Sequence, residues 1–278
     1  MYCRWQAALF NLSIAMHKTI ADFDFTLEEL ITVTKKAGAV IMDIYASEFT
    51  TRTKHDASPV TIADEMAERL IVDALALLTP LIPIVAEEAI AAGHAVAVGE
   101  TFWLVDPLDG TKEFVSRNGE FTVNIALVSS GIPIAGVVYA PAIDRLFAGA
   151  LGKGAFVEEQ GKRRPIQIRE VPEEGWSIVS SRSHGDETAL AEFLGNRKIA
   201  ELKNAGSSLK ICLVAAGEAD MYPRLGRTME WDIAAGDAVV RAAGGCLQTL
   251  EGQPMRYGKA EFENPHFVVM GNSDNNLH

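Results

Sequence analysis

The sequence predicts an α+β half followed by an α/β half, and three observations carry that reading. Two stretches near the N-terminus repeat apolar residues at helical spacing. A block of short β-like runs punctuated by Gly, Pro and Ser then extends from Phe121 to Ile168, and helix and strand patterns alternate from there to the C-terminus. No internal repeat or low-complexity linker separates the parts. The expected organisation is an N-terminal extension over 1–20, an α+β subdomain over 21–168 and an α/β subdomain over 169–278, packed as two halves of one unit.

In chain order, Met1 to Ile20 is moderately apolar but carries Asn11, Ser13 and His17 and no small-residue cleavage site, so it reads as an extension and not a signal peptide. Thr26 with Glu29 forms a capping box, and Leu27, Leu30, Ile31, Thr34, Ala37, Ile41 and Ile44 continue at helical spacing, which predicts a helix over 27–45. After a polar stretch over 51–59, a second helix starts near Thr61 and is closed by Pro80. Asp64 reads either as the acid of a second capping box or as a carboxylate facing a site. Ile82 to Ala86 reads as a short strand delivering Glu87 and Glu88 at its end. A strand puts these two side chains on opposite faces, so at most one can join a shared cluster. Ala89 to Glu100 reads as a loop.

Trp103-Leu104-Val105 suits a buried strand, and Pro107, lacking an N–H, should end its ladder. Asp106 and Asp109 follow in a Pro-Leu-Asp-Gly turn that can aim both carboxylates at one point, with the Leu108 carbonyl as a further oxygen. Such a point suits a hard cation, although the same residues also make an ordinary turn. An EF-hand is excluded because the acids before Gly110 do not alternate, and phosphatases that attack through an Asp-x-Asp-Gly-Thr aspartate need an acid where Pro107 stands. Gly152-Lys153 is no P-loop, since Phe147 and Gly154 replace the required glycine and hydroxyl.

The β block predicts strands over 122–128, 132–140, 146–151, 154–157 and 166–168. The remainder predicts strands over 176–180, 199–202, 220–222, 246–250 and 267–270, with helices over 187–194, 207–216 and 233–243. Asp232 would cap the helix starting at Ile233, and a helix N-terminus also holds anions or phosphate–metal complexes. Gly110-Thr111 offers the same if a short helix starts there.

The 278 residues are 48% apolar and carry a net charge of −12, which predicts a globular chain and argues against a general nucleic-acid binder. Three separated cysteines without a Cys-x-x-Cys pair read as reduced thiols, and no apolar run approaches the roughly 20 residues of a membrane span, so a cytoplasmic location is expected.

Taken together, Asp106-Pro107-Leu108-Asp109-Gly110-Thr111, the Glu87-Glu88 pair upstream, and Trp231-Asp232-Ile233-Ala234-Ala235-Gly236 with the later Gly244-Gly245 resemble the inositol monophosphatase superfamily of Mg²⁺-dependent, Li⁺-sensitive phosphatases. The resemblance runs from about Phe23 to the C-terminus and implies a layered αβαβα sugar-phosphatase fold. Within it, Lys112-Glu113-Phe114, Arg117 to Asn124, Ser58 to Thr61, Ser180 to His184, Gly206 to Lys210 and Tyr222-Pro223-Arg224 look like the bacterial 3′(2′),5′-bisphosphate nucleotidase subgroup. One departure is Ala86, where a Ser commonly precedes the Glu pair.

Carried onto this sequence, the resemblance implies two or three Mg²⁺ ions held by Glu87, Asp106, the Leu108 carbonyl, Asp109 and Asp232, with Glu87, Asp64 and Thr111 serving catalysis. Asp64 would hold a further ion or, with Thr111, deprotonate the attacking water. Gly110 and Thr111 would hold the reacting phosphate, and His184, Ser207, Lys210 and Arg224 the nucleotide and its other phosphate. The implied reaction is hydrolysis of adenosine 3′,5′-bisphosphate to AMP, with the sulfated nucleotide as a second substrate, in a monomer or homodimer. The alternative is an inositol monophosphatase or another sugar phosphatase with the same metal centre. A regulator that had lost catalysis would lack Thr111 or a carboxylate, and all are present.

Overall fold

A computed structural model describes residues 18–48, 51–53, 59–181 and 187–271. Residues 1–17 of the extension and His184 lie outside the described residues. Ile20 belongs to a short 3₁₀ turn and is buried in the core.

Helix α1 (Leu27–Tyr45) is capped as expected, with the Thr26 N–H donating to Glu29 at 2.7 Å and the Glu29 N–H donating to Thr26 Oγ1 at 3.2 Å. The polar stretch after it contains two short antiparallel strands, β1 (Thr51–Thr53) and β2 (Pro59–Thr61), which the sequence pattern does not signal. Helix α2 (Ile62–Leu78) follows, capped by Thr61. Strand β3 (Ile84–Ala86) then leads directly into a one-turn helix, α3 (Glu87–Ala91), so the two glutamates begin a helix and do not end a strand.

Strand β4 (Thr101–Asp109) corrects the expectation at Pro107. Pairing with β5 (Thr122–Ser129) runs to Asp106, skips Pro107 and Leu108 in a bulge, and resumes between Asp109 and Thr122. The missing N–H interrupts the ladder without ending it. Helix α4 (Thr111–Val115) starts immediately after Gly110, whose φ of 89° places it in the left-handed region. The sheet continues through β6 (Ile132–Ala140), β7 (Arg145–Ala150), β8 (Gly154–Glu159) and β9 (Lys162–Ile166), giving seven strands in the order β3-β4-β5-β6-β7-β8-β9, antiparallel except for β3 with β4. The last strand lies N-terminal to the expected one because Lys162 to Pro165 are exposed edge residues without an apolar signature.

Among the described residues a second, five-stranded sheet has the order β11 (Ile199–Ala205), β10 (Trp176–Ser181), β12 (Met221–Arg224), β14 (Phe267–Met270), β13 (Cys246–Thr249), with helices α5 (Glu187–Leu194), α6 (Leu209–Ala215) and α7 (Glu230–Ala242) interspersed in sequence.

Strand periodicity sorts the large sheet into two faces. Trp103, Val105, Ile125 and Leu127 pack with Leu30, Ile41, Ile71 and Leu75 of α1 and α2. Phe102, Leu104, Ala126 and Val128 share the other core with Ile211, Trp231 and Val239 of α6 and α7, and that core continues into Tyr222, Leu247, Phe267 and Val269 of the small sheet. On the far side of the small sheet, Ile178, Met221 and Val268 meet Leu190, Phe193 and Leu194 of α5. The layers are therefore helix, sheet, helix, sheet, helix, as the resemblance implied.

Close approach of α7 to the large sheet depends on Gly136, where a Cβ would stand 2.5 Å from the Ala235 carbonyl oxygen. This contact brings the first turn of α7 to the ends of β3 and β4. Among the described residues no helix is long and apolar enough to cross a membrane.

Candidate active site

Register places the first two acids. Strands β3 and β4 run parallel with Ala86 opposite Val105, so the residues that follow, Glu87 at the start of α3 and Asp106 still on β4, stand side by side. Asp232 enters from the first turn of α7. Carboxylate oxygens of Glu87, Asp106 and Asp232 lie within 4.8 Å of one another. Asp106 is fixed by the turn it starts, its Oδ1 accepting the Leu108 N–H at 3.0 Å.

Asp232 is not the N-cap residue the sequence suggests. Helix α7 begins at Glu230, with Met229 in the capping position, and Asp232 sits one turn in with its Oδ2 accepting the Met229 N–H at 2.8 Å. The earlier start is set by tertiary contacts: the Glu230 N–H reaches the Phe262 carbonyl, and the Glu230 carboxylate takes the Gly258 and Lys259 N–H groups.

Asp109 stands beside this trio but is drawn toward the Ser207–Ser208 turn. Its Oδ2 accepts Ser207 Oγ at 2.7 Å and the Ser208 N–H at 2.6 Å. The turn after Pro107 thus does not bring Asp109 into the same close group as Asp106. Ser207 holds a φ of 56°, an uncommon conformation for a residue with a side chain, in the loop that leads into α6. The Leu108 carbonyl accepts Thr111 Oγ1 at 3.3 Å, and that hydroxyl also donates to Asp64 Oδ1 at 3.1 Å.

Asp64 closes the capping box and also meets Thr111, but it is not part of the Glu87–Asp106–Asp232 group. Its Oδ2 accepts the Thr61 N–H and hydroxyl at 2.8 and 2.7 Å, closing the capping box, while its Oδ1 faces Thr111.

A cavity of about 350 Å³ is lined by Glu87, Asp109 and Asp232 together with Gly110 and Thr111, and also by Ser207, Lys210 and Arg224. Lys210 is buried, and its Nζ donates to the Ser207 carbonyl at 2.5 Å and lies 5.4 Å from the centre of the Tyr222 ring. Arg224 Nη2 donates to the Arg227 carbonyl at 2.9 Å, whereas its buried Nε has no hydrogen-bond partner among the described residues.

Burial dominates the electrostatics. It pushes the Asp232 carboxyl well above the ordinary carboxylate range, and the charges of Asp109 and Glu87 push the same way. Burial also raises Asp109, opposed by Lys210 and by the hydrogen bonds from Ser207 and Ser208. Lys210 is brought down to about 8, again by burial first, with Asp109 pulling it back up and Arg224 adding to the fall. A group of crowded, desolvated carboxylates whose donors are all oxygen fits a hard divalent cation, which would relieve their repulsion.

Three residues to which the sequence motifs give no role of their own also shape this site. Ser208 Oγ donates to Asn124 at 2.7 Å, and Asn124 is the ladder partner of Asp106. Glu68 lies on the buried face of α2, four residues after Asp64. An acid in the register of Ala63, Ala67, Ile71 and Leu75 was the available signal.

The model of the Inositol monophosphatase family matches residues 22–274. The 3′(2′),5′-bisphosphate nucleotidase CysQ of Escherichia coli O157:H7 is 46% identical over 246 residues, covering 87% of this chain and 98% of the relative. Among solved structures, CysQ from Bacteroides thetaiotaomicron, described as a bacterial member of the inositol monophosphatase family, superposes with a TM-score of 0.75 at 38% identity, covering 89% of this chain and 97% of that one. The inositol monophosphatase of Anabaena (Nostoc) sp. PCC 7120 gives a TM-score of 0.69 at 26% identity, covering 91% and 92%. Five layers, carboxylates gathered at the ends of β3, β4 and the start of α7, and these likenesses lead to one conclusion: the chain belongs to the inositol monophosphatase family.

Proposed function

We propose that the protein is a Mg²⁺-dependent phosphatase of the cytoplasm that removes the 3′-phosphate of adenosine 3′,5′-bisphosphate, giving AMP and phosphate, and that it acts on the sulfated nucleotide as a second substrate. The observation that carries this reading is the presence of Lys210 and Arg224 in the same cavity as Glu87, Asp109 and Asp232. An acidic cluster alone suits any phosphate ester held through a cation. Two buried or half-buried cations beside it suit a substrate with a second phosphate. Of the relatives described above, the one at 46% identity is named a 3′(2′),5′-bisphosphate nucleotidase, whereas the inositol monophosphatase is 26% identical, which favours that choice over an inositol or sugar monophosphate.

In this reading Glu87, Asp106 and Asp232 hold the cation, joined by Asp109 and the Leu108 carbonyl. Bound Mg²⁺ would supply charge neutralisation at the phosphate and acidify a water. The chain's own contribution to proton movement is the Thr111–Asp64 contact. The attacking water donates to Thr111 Oγ1, the Thr111 hydroxyl proton passes to Asp64 Oδ1, and the hydroxide forms the new P–O bond as the bond to the 3′-oxygen breaks, that oxygen taking up a proton from solvent to become the 3′-hydroxyl. Amides of the first turn of α4 face the phosphate oxygens. Lys210 and Arg224 orient the far end of the substrate, which fixes the 3′-phosphate for in-line attack.

Changing Lys210 to Ala tests the reading. The value of kcat/KM for adenosine 3′,5′-bisphosphate is expected to fall at least about tenfold more than that for 3′-AMP, which lacks the second phosphate. Equal losses on the two substrates would contradict a bisphosphate site.

A further inference from the structure

Helix α2 presents two buried acids one turn apart, Asp64 and Glu68. Asp64 turns to Thr61 and Thr111. Glu68 reaches a different element: its Oε2 accepts the Glu88 N–H at 2.7 Å and its Oε1 accepts the Ala89 N–H at 2.9 Å. Both amides lie in the first turn of α3, where backbone donors have no partner within the helix. Ala86 occupies the capping position and has no side chain to serve them. A carboxylate twenty residues earlier in the chain does so instead, with both of its oxygens and with the added strength of a charged acceptor.

Glu87 is the first residue of that helix, immediately before the two tethered amides. A five-residue helix has little cohesion of its own, so the direction in which Glu87 leaves β3 depends on what holds the turn that follows. We infer that Glu68 is a positioning residue for the cation site: it clamps the first turn of α3 to α2 and thereby keeps the Glu87 carboxylate against Asp106 and Asp232. Through Asp64 and Glu68 one face of α2 sets both the Thr111 hydroxyl and the Glu87 carboxylate. The inference rests on the reading of Glu87 as a cation ligand.

The test is calorimetric titration of the full chain with Mg²⁺, alongside amide hydrogen exchange of residues 87–91, for the wild type and the Glu68→Gln, Glu68→Ala and Glu87→Gln variants. Glu68→Ala is expected to weaken Mg²⁺ binding about tenfold. Glu68→Gln, which keeps one acceptor oxygen, is expected to fall between it and the wild type. Both should speed exchange at residues 88 and 89, and activity lost at low Mg²⁺ should recover as Mg²⁺ is raised. Wild-type Mg²⁺ affinity in both Glu68 variants, whatever their melting temperature, would overturn the inference and leave Glu68 as a helix cap. If Glu68→Ala does not fold, the near-isosteric Glu68→Gln decides by the same criterion. Unchanged Mg²⁺ binding in Glu87→Gln would instead overturn the reading of Glu87 itself.

Discussion

Thr111 Oγ1 donates to Asp64 Oδ1 at 3.1 Å, while the other oxygen of the same carboxylate closes the cap of α2 at Thr61. One buried side chain thus joins a helix start to the turn that carries Asp106 and Asp109. Removal of the Thr111 hydroxyl leaves the cap intact. Thr111→Ala is therefore expected to lose about 10²- to 10³-fold in phosphate release with little change in unfolding free energy. Asp64→Asn should lose activity and also about 1 kcal/mol of stability, because an amide cannot accept both Thr61 donors on one oxygen and keep its other side toward Thr111 as an acceptor. Steady-state rates beside denaturant unfolding distinguish the two variants.

Lys210 gives the substrate affinity a pH dependence. Burial holds its ammonium near 8, so it is charged below that pH and neutral above it. The charged form attracts the second phosphate. KM for adenosine 3′,5′-bisphosphate should rise as pH passes from about 7 to about 9, and KM for 3′-AMP should change less. Lys210→Arg, which stays charged, should flatten the difference. Parallel pH profiles for both substrates in the wild type would contradict this role.

Asp232 links pH, metal and stability. Its carboxyl is raised by burial and then by Asp109 and Glu87. A raised acid binds its proton more tightly in the folded than in the unfolded chain. Without cation, stability should therefore fall as pH rises through the raised value. Protons and cation compete at the cluster, so Mg²⁺ affinity should weaken as pH is lowered, starting above the ordinary carboxylate range. Asp232→Asn removes one of the repelling charges. Its metal-free form should be at least as stable as the wild type, while the Mg²⁺-induced gain, about 2.7 kcal/mol at a hundredfold excess over Kd, should largely disappear. Thermal melts with Mg²⁺ and with a chelator check both statements.

The seat of α7 makes a packing prediction. A methyl group at Gly136 would lie 2.5 Å from the Ala235 carbonyl oxygen and 2.8 Å from its Cα, both backbone atoms that move only with the helix. Gly136→Ala should cost about 1–3 kcal/mol and, by displacing the first turn of α7, weaken Mg²⁺ binding through Asp232. Denaturant midpoints and calorimetry measure the two effects.

What the sequence disclosed follows from how local each signal is. Helix α1 is legible to the residue, and α2 in its start near Thr61 and its stop before Pro80, because each carries a capping box and apolar residues at helical spacing, although Ile62 and Met66 of α2 are exposed. Helix α3 and the strands β1 and β2 are too short for any period to register. The bulge at Pro107 depends on Asp109 finding Thr122 on the neighbouring strand, and the start of α7 on Phe262, Gly258 and Lys259, so neither could be read from its own segment. The motifs that carry the family resemblance single out Glu87, Asp106 and Asp232, whose carboxylates the fold brings together. The attachment of Asp109 to Ser207 and Ser208 and of Glu68 to α3 joins segments 98, 99, 20 and 21 residues apart, and such contacts exist only in the folded chain.

In the proposed function this cation site serves a bisphosphate nucleotide. That assignment is tested most directly by Mg²⁺-dependent phosphate release from adenosine 3′,5′-bisphosphate, inositol 1-phosphate and fructose 1,6-bisphosphate under identical conditions, each with and without Li⁺. The value of kcat/KM for the nucleotide is expected to exceed that for either other substrate by at least about a hundredfold, because inositol 1-phosphate lacks a second phosphate and fructose 1,6-bisphosphate carries its second one on a sugar frame without a base, with Li⁺ inhibiting release. Preference for inositol or sugar phosphate would contradict it and reassign Lys210 and Arg224.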